Sequence, residues 1–391
     1  MQSFNSLAEN PACNVSCRAC HYKDLDYPSQ LSRKQSWASK QLGGQWADVL
    51  AEILPAPEPE RLAYRTKSWL RSSVSGGGLS FGMIRAVREG RSWAKEFISW
   101  DECPLHTHAL NETMARLRAA LLREAPGFVE NGLVGVWVGS PHLVVISREI
   151  DPAPLEALDW REILAEPFSR AWFHCNPETG KKVFGHREIR ELTPSDSREE
   201  MPAHPIRAFR QVARTLLGQA RSRAVSALIE AKPDRVLDLY CGTGDLSLLL
   251  PPEMGWLGIE YSREAVKFAA GLRPSGPTHP PHRAWVGGVE QRLQDARVLE
   301  QIRGRWALYL NPPRSGLTPD AQGLLLELIE RTRPVSIVYL SCSASSLARD
   351  LRAFEKTGFS VQSLQPYDFF PQTEHFETLA ILTHIRHGLL G

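Results

Sequence analysis

The chain has 391 residues, of which 42% are hydrophobic and 23% charged, which fits two or three globular units and excludes a disordered or fibrous protein. Its 46 Lys and Arg against 44 Asp and Glu leave a net charge of +2, too small to draw a polyanion through bulk charge, so any nucleic-acid surface has to be local. No apolar run approaches the roughly 18 residues of a membrane span, and Met1–Pro11 has no secretory pattern, so the expected compartment is the cytoplasm, with no membrane partner.

Seven cysteines, an odd number, occur in a chain too large to need disulfide staples. Cys13, Cys17 and Cys20 stand in CxxxCxxC spacing, which offers three thiolates to an iron–sulfur cluster, and Cys103 can supply a fourth. The same spacing is used by radical S-adenosylmethionine enzymes, and four thiolates also suit structural zinc, although paired CxxC knuckles are absent. No repeated strand–helix barrel pattern follows Cys20, which disfavours the radical reading. Cys175 and Cys241 are expected to be packed side chains.

From Arg61 to Lys95 there are eight basic residues and one acid, Glu89, a local charge of +7. Tyr64, Trp69, Phe81 and Trp93 are interleaved with them, a composition that suits phosphate contacts with base stacking. The glycines of Ser75–Gly78 and the alternating run Val134–Ile146 predict a β-rich domain. Pro55–Pro59 and Thr193–Pro205 have the composition of surface connectors. The expected divisions are a cysteine segment with a helix over 1–55, a central β-rich RNA-binding domain over 56–203, and a third domain over 204–391.

Helical spacing over Ile206–Ala231 is followed by the apolar runs Arg235–Tyr240, Trp256–Glu260, Trp306–Leu310 and Ser336–Ser341, then Ser360–Leu364 and Leu379–Thr383. Their alternation with helical segments predicts a doubly wound, Rossmann-like α/β sheet. The first run ends in VLDLYCGTGD, where Gly242 and Gly244 permit a tight turn and close backbone approach to a ligand. Glu260 ends the next run, 22 residues after Asp238, where it can accept hydrogen bonds from a ribose. The third glycine of a dinucleotide fingerprint is replaced by Ser247, so S-adenosylmethionine fits better than NAD.

NPPRSGL (311–317) follows the fourth strand and lies at the ligand-binding carboxyl edge. YLSCSASSLARDL (339–351) places Cys342 after a strand and before a helix, whose N-terminus is expected to favour the thiolate. In FFPQTEHFETL (369–379), Glu377 lies between apolar neighbours and suits a base. Glu374 is its nearest competitor.

The order CGTGD, NPPRSG, SCSxxSLARDL, FPQTxHxET resembles the RNA uracil-C5 methyltransferases over residues 203–391. CRACHYKDLDYPSQLSRKQ (17–35) and DECPL around Cys103 resemble that family's cysteine segments. The compact layout, without a separate N-terminal RNA-binding barrel ahead of the cysteines, resembles the shorter bacterial 23S ribosomal RNA enzymes. The resemblance implies a C-terminal S-adenosylmethionine methyltransferase domain, a β-rich domain with a [4Fe–4S] cluster on Cys13, Cys17, Cys20 and Cys103, and RNA as the partner, with no obligate protein partner.

It further implies that Cys342 adds to C6 of uracil and that Glu377 removes the C5 proton after methyl transfer. Gln211, Tyr240, Gly242, Gly244, Asp245, Glu260 and Asn311 are the implied cofactor-edge residues. The sequence departs from the family pattern at Asn311, usually Asp, at Ala213, usually Asn, and at Ser343 and Ala344, usually Asn and Pro. An asparagine at 311 can accept from uracil N3–H and donate to O4, which is compatible with uracil recognition, as it is with a changed substrate or a weakened site. NPP also occurs in amino-group methyltransferases, but Arg314 replaces their aromatic residue. The target uridine is expected to be unpaired or flipped. The alternatives are a transfer RNA substrate or an RNA-binding assembly factor with weakened turnover.

Overall fold

A computed structural model describes residues 6–14, 16–89, 92–149, 151–175, 189–193, 214–272 and 282–384. Its contacts divide the chain into two units, Met1–Asp26 with Glu58–Ile206, and Tyr27–Pro57 with Arg207–Gly391. The segment expected as one domain over 1–55 is therefore split after Asp26. The physical reason lies in the helix Tyr27–Leu42, which buries Ala38 and Leu42 in the same cluster as Leu347, Leu351 and Phe354.

In the first unit the strands are β1 (Lys67–Ser75), β2 (Gly78–Glu89), β3 (Ser92–Ser99), β4 (Leu133–Gly139), β5 (His142–Ser147), β6 (Arg170–Cys175) and β7 (Ile189–Glu191). They form one sheet in the order β3-β2-β1-β4-β5-β6-β7, with only β5 and β6 pairing in parallel. Strand alternation sends Leu70, Leu79, Phe81, Val136 and Val145 to one face, where Leu110, Met114 and Leu117 of the helix His108–Glu124 cover them. Tyr64 and Phe81 are buried, so two of the four aromatics expected to stack on bases are core residues instead. Trp69 and Trp93 fall on the opposite face.

The second unit contains β8 (Arg235–Leu239), β9 (Gly255–Glu260), β10 (His282–Val286), β11 (Trp306–Leu310), β12 (Ser336–Ser341), β13 (Phe359–Tyr367) and β14 (Glu377–His384). Their order is β10-β9-β8-β11-β12-β14-β13. The strands up to β12 are parallel to their neighbours, whereas β14 enters antiparallel between β12 and β13. The runs Ser360–Leu364 and Leu379–Thr383, expected as strands after the first four, form these two antiparallel members. Order reverses between β8 and β11, which opens a crevice at their carboxyl ends. The helix expected over Ile206–Ala231 is described as Arg214–Glu230. No described helix is long and apolar enough to cross a membrane.

Candidate active site

A cavity of about 620 Å³ occupies that crevice, lined among others by Asp238, Tyr240, Gly242, Asp245, Glu260, Asn311, Arg314, Cys342 and Glu377. Most of the residues singled out in the carboxyl half thus meet in one place. Gln211 lies outside the described residues. Gly244 packs under the turn, where an added Cβ would come within 2.8 Å of the Ala269 Cβ.

The turn after β8 carries positive φ at Tyr240 (63°), Gly242 (54°) and Gly244 (75°). A side chain at Gly242 would meet nothing within 4 Å, so its backbone borders open space. The Gly242 N–H donates to Glu260 Oε2 at 3.2 Å and the Ser262 N–H to Oε1 at 2.9 Å, which fixes the carboxylate on the cavity wall with lone pairs left for ribose hydroxyls. Asp245 accepts from Arg221 at 2.8 Å and from Thr243 Oγ1 at 2.9 Å, so part of its capacity is already used in shaping the turn.

Asp238, used in the sequence only as a spacing mark, is a site residue in its own right. Its Oδ2 accepts from Trp256 Nε1 at 3.1 Å, while Oδ1 is buried without a hydrogen-bond partner among the described residues. Burial pushes its carboxyl up to about 8, with Glu260 and Asp245 adding to the rise. A cationic group entering the cavity would satisfy and ionise it. Asp238, Asp245 and Glu260 together suit a ribose-bearing ligand with a positive arm far better than a pyrophosphate.

At the other end of the cavity, β12 and β14 pair with Ser341 opposite Thr378. Cys342 follows Ser341 and Glu377 precedes Thr378 at that edge. The helix Ala344–Glu355 starts just beyond, with the Ser343 side chain accepting from the Ser346 N–H. Burial, and then the Glu377 carboxylate, push the Cys342 thiol up to about 11, against the lowering effect of the Arg314 guanidinium. Cys241 is half-buried against the second unit's core, and burial raises its thiol well above the ordinary value.

The SLARDL residues hold NPPRSGL in place. Asp350, fully buried, accepts from the Leu317 N–H at 3.1 Å, Gln322 Nε2 at 2.8 Å and Tyr339 Oη at 2.8 Å. Arg349 donates to the carbonyls of Ser315 and Leu317 at 3.0 and 2.8 Å, and Ser346 Oγ to that of Arg314 at 2.9 Å. This clamp fixes the backbone that carries Asn311 and Arg314. The signal for it was the motif itself, from which only the cysteine had been drawn.

In the first unit, Asn14 Nδ2 donates to the Ser99 carbonyl and Arg85 Nη1 to that of Ser16, which seats the cysteine segment against β2 and β3. Cys13, Cys20 and Cys103 each have their proton affinity raised by burial first and by neighbouring thiols in addition. The Ala19 N–H approaches Cys17 Sγ at 3.5 Å, and the backbone of Leu105 and His106 donates to Cys103. The couplings between these thiols bring them into one neighbourhood, but among the described residues no three of their sulfurs lie within 4.8 Å of one another.

The family model described as tRNA (uracil-5-)-methyltransferase matches residues 290–385, which include Asn311, Cys342 and Glu377. The chain is 28% identical to the 23S rRNA (uracil(1939)-C(5))-methyltransferase RlmD of Marinomonas sp. (strain MWYL1), with 94% of this chain and 78% of that protein covered. It is 34% identical to an uncharacterized RNA methyltransferase of Oceanobacillus iheyensis, with 95% and 83% covered. The chain belongs to the RNA uracil-C5 methyltransferase family. The structure of Pyrococcus abyssi tRNA (uracil-54, C5)-methyltransferase in complex with S-adenosyl-L-homocysteine covers 95% of this chain and 85% of its own, with a TM-score of 0.66 at 18% identity. This RNA uracil-C5 methyltransferase therefore shares its fold with that tRNA (uracil-54, C5)-methyltransferase.

Proposed function

We propose that this enzyme transfers the methyl group of S-adenosylmethionine to C5 of an unpaired uridine in RNA, with 23S ribosomal RNA as the substrate. The observation that carries the reading is the single cavity with Glu260 and Asp238 at one end and the Cys342–Glu377 pair at the other. Glu260 is assigned to the ribose and Asp238 to the ammonium of the methyl donor, which supplies an electrophilic methyl when bound. The Cys342 thiol gives its proton to solvent and its sulfur adds to uracil C6, which makes C5 an enolate carbon able to attack that methyl, the bond between methyl and sulfonium breaking so that a neutral thioether leaves. Glu377 then takes the C5 proton, the C5–C6 double bond re-forms, and the thiolate leaves. Asn311 is assigned to the uracil N3–H and O4 edge, and Arg314 to stabilising the Cys342 thiolate.

Cys13, Cys17, Cys20 and Cys103 are assigned to a [4Fe–4S] cluster, which would tie the N-terminal segment to the sheet. Iron and sulfide content with visible absorbance after anaerobic purification tests this. One bound zinc in an iron-free, fully active protein would refute it.

The RNA is assigned to the sheet face opposite the first unit's core. Register places Arg71 beside Gly82, Ala86 beside Lys95 and Arg88 beside Trp93 on that face, while Arg85 turns to the other side and pairs with Glu96 at 2.6 Å. Trp93 is 71% and Ile84 46% exposed, and the Arg71 guanidinium lies 5.2 Å from the Trp69 ring centroid. Cations around the exposed Trp93 ring and the half-buried Trp69 ring match the phosphates and bases of a single strand.

The deciding experiment compares 5-methyluridine by nucleoside mass spectrometry in separated 23S ribosomal and transfer RNA from cells with and without the gene. Loss confined to 23S RNA is expected. Loss confined to transfer RNA would keep the chemistry and change the substrate, and no loss in either pool would overturn the assignment.

A further inference from the structure

The segment between β13 and β14 brings Phe370 to the cavity wall and leads into Glu377. One face of the helix Tyr27–Leu42 grips this segment through polar side chains a turn apart. Lys34 Nζ donates to Asp368 Oδ1 at 2.5 Å and to the Phe370 carbonyl at 3.0 Å, and Tyr27 Oη donates to Asp368 Oδ2 at 2.8 Å. Gln30 makes a double amide contact with Gln372: its Nε2 donates to the Gln372 Oε1, and the Gln372 N–H donates to its Oε1, both at 2.8 Å. Lys34 and Asp368 have no exposed side-chain surface. Gln372 is held at φ 69°, a backbone conformation that a non-glycine residue adopts at a cost and keeps where surrounding contacts demand it.

A buried ion pair is a poor way to gain stability, because desolvating both charges offsets most of their attraction, and apolar side chains of similar volume often do as well. What the pair and the amide contacts supply is a defined position. They fix the segment at Asp368, at the Phe370 carbonyl and at Gln372, so that Phe370 and the start of β14 have one arrangement against the cavity.

We infer that Lys34 and Gln30 are positioning residues for catalysis. Acting through Asp368, Phe370 and Gln372, they set the arm that ends in Glu377 and touch neither RNA nor methyl donor. The inference rests on the assignment of Glu377 as the base.

The test uses full-length protein and a matched RNA, and compares wild type, Lys34→Met, the double variant Lys34→Met/Asp368→Leu, Gln30→Met and Glu377→Gln. Turnover, KM for RNA, the dissociation constant for S-adenosylmethionine and the melting temperature are measured for each. The double variant removes both charges and is expected to recover the melting temperature lost in Lys34→Met. Its kcat is nevertheless expected to stay tenfold or more below wild type, with donor affinity within twofold. Gln30→Met, which deletes only neutral hydrogen bonds, keeps the question answerable if the lysine variants fold poorly, and is expected to lose three- to tenfold in kcat. Wild-type kcat in the double variant, or losses that merely track the folded fraction, would overturn the inference. Normal adduct release in Glu377→Gln would refute the base assignment instead, a result separate from the kcat of the clasp variants.

Discussion

Cys342 and Glu377 flank the last β12–β14 pair, Ser341 with Thr378, and line the same cavity. The sequence separates them by 35 positions, and the antiparallel insertion of β14 beside β12 removes that separation. A parallel strand in the same slot would send its carboxyl end to this edge, whereas the antiparallel one sends its first residue. The proposed nucleophile therefore follows the end of one strand, and the proposed base starts the strand beside it.

The two groups are expected to fail at different steps. Cys342→Ala should form no covalent RNA complex, while Glu377→Gln should form one that persists, with turnover lowered about 10²–10⁴-fold, the usual range for a missing general base. Denaturing gels of enzyme with RNA and methyl donor read both outcomes. An adduct released at the normal rate by Glu377→Gln would sink the role given to that residue.

The charge around Cys342 should be visible in its reactivity. Its thiol sits near 11, raised by burial first and Glu377 second, and lowered by Arg314. The thiolate fraction of the ligand-free enzyme therefore grows tenfold per pH unit below that value. Arg314→Met should move the alkylation profile of the Cys342 peptide to higher pH, and Glu377→Gln to lower pH. A profile at the ordinary thiol value, unmoved by either substitution, would remove Arg314 from its assigned role.

Most of the α/β half was legible because its strands are short apolar runs buried on both faces. That same property hides direction, since a doubly buried strand has one composition whether parallel or antiparallel, and the antiparallel entry of β14 leaves no mark in its apolar run. The edge strand β10, His282–Val286, begins with His and Arg and carried no comparable apolar run. The helix Tyr27–Leu42 was harder to place, because its buried stripe is Gln30, Lys34, Ala38 and Leu42 and half of it is polar. In the site, motif residues were legible and their supports were not. Asp238 and Arg314 stood inside quoted motifs, but their roles depend on an orphaned oxygen and a neighbouring thiol, which spacing cannot show.

Binding of the methyl donor should release a proton. Burial holds the Asp238 carboxyl near 8, so it is mostly neutral at pH 7, and an ammonium beside it would return it to the ionised form. Calorimetry in buffers of different ionisation enthalpy should show release approaching about one proton in wild type and little in Asp238→Asn. The sign for stability is also fixed. A carboxyl raised in the folded state makes the ligand-free protein lose stability as pH climbs from the ordinary carboxyl range towards about 8, and Asp238→Asn should flatten that slope. Equal proton release in both proteins would assign the ammonium elsewhere.

Gly316 tests the clamp around NPPRSGL. It has φ 71°, and an added Cβ would lie 2.7 Å from both Arg349 Nη2 and Asp350 Oδ2. Gly316→Ala should cost about 1–3 kcal/mol from backbone strain and should weaken methyl transfer, because the loop carries Asn311 and Arg314. Thermal unfolding with a turnover assay checks this. An unchanged melting temperature with unchanged activity would mean that the loop relaxes without disturbing the cavity.

The proposed RNA face allows phosphate contacts to be separated from stacking. Arg88 and Lys95 flank the exposed Trp93 on adjacent strands, away from the catalytic residues in sequence and from the core face of their own sheet. Arg88→Ala/Lys95→Ala should raise KM for RNA and reduce the slope of log affinity against log salt by about 1–2, since each lost phosphate contact releases roughly one counterion fewer. Trp93→Ala should weaken binding by about 1–3 kcal/mol with the salt slope unchanged, the mark of lost base stacking. Donor affinity and melting temperature should stay at wild-type values in both. Full RNA affinity in all these variants would exclude this face from the substrate path, and the basic stretch would then be a solvated surface.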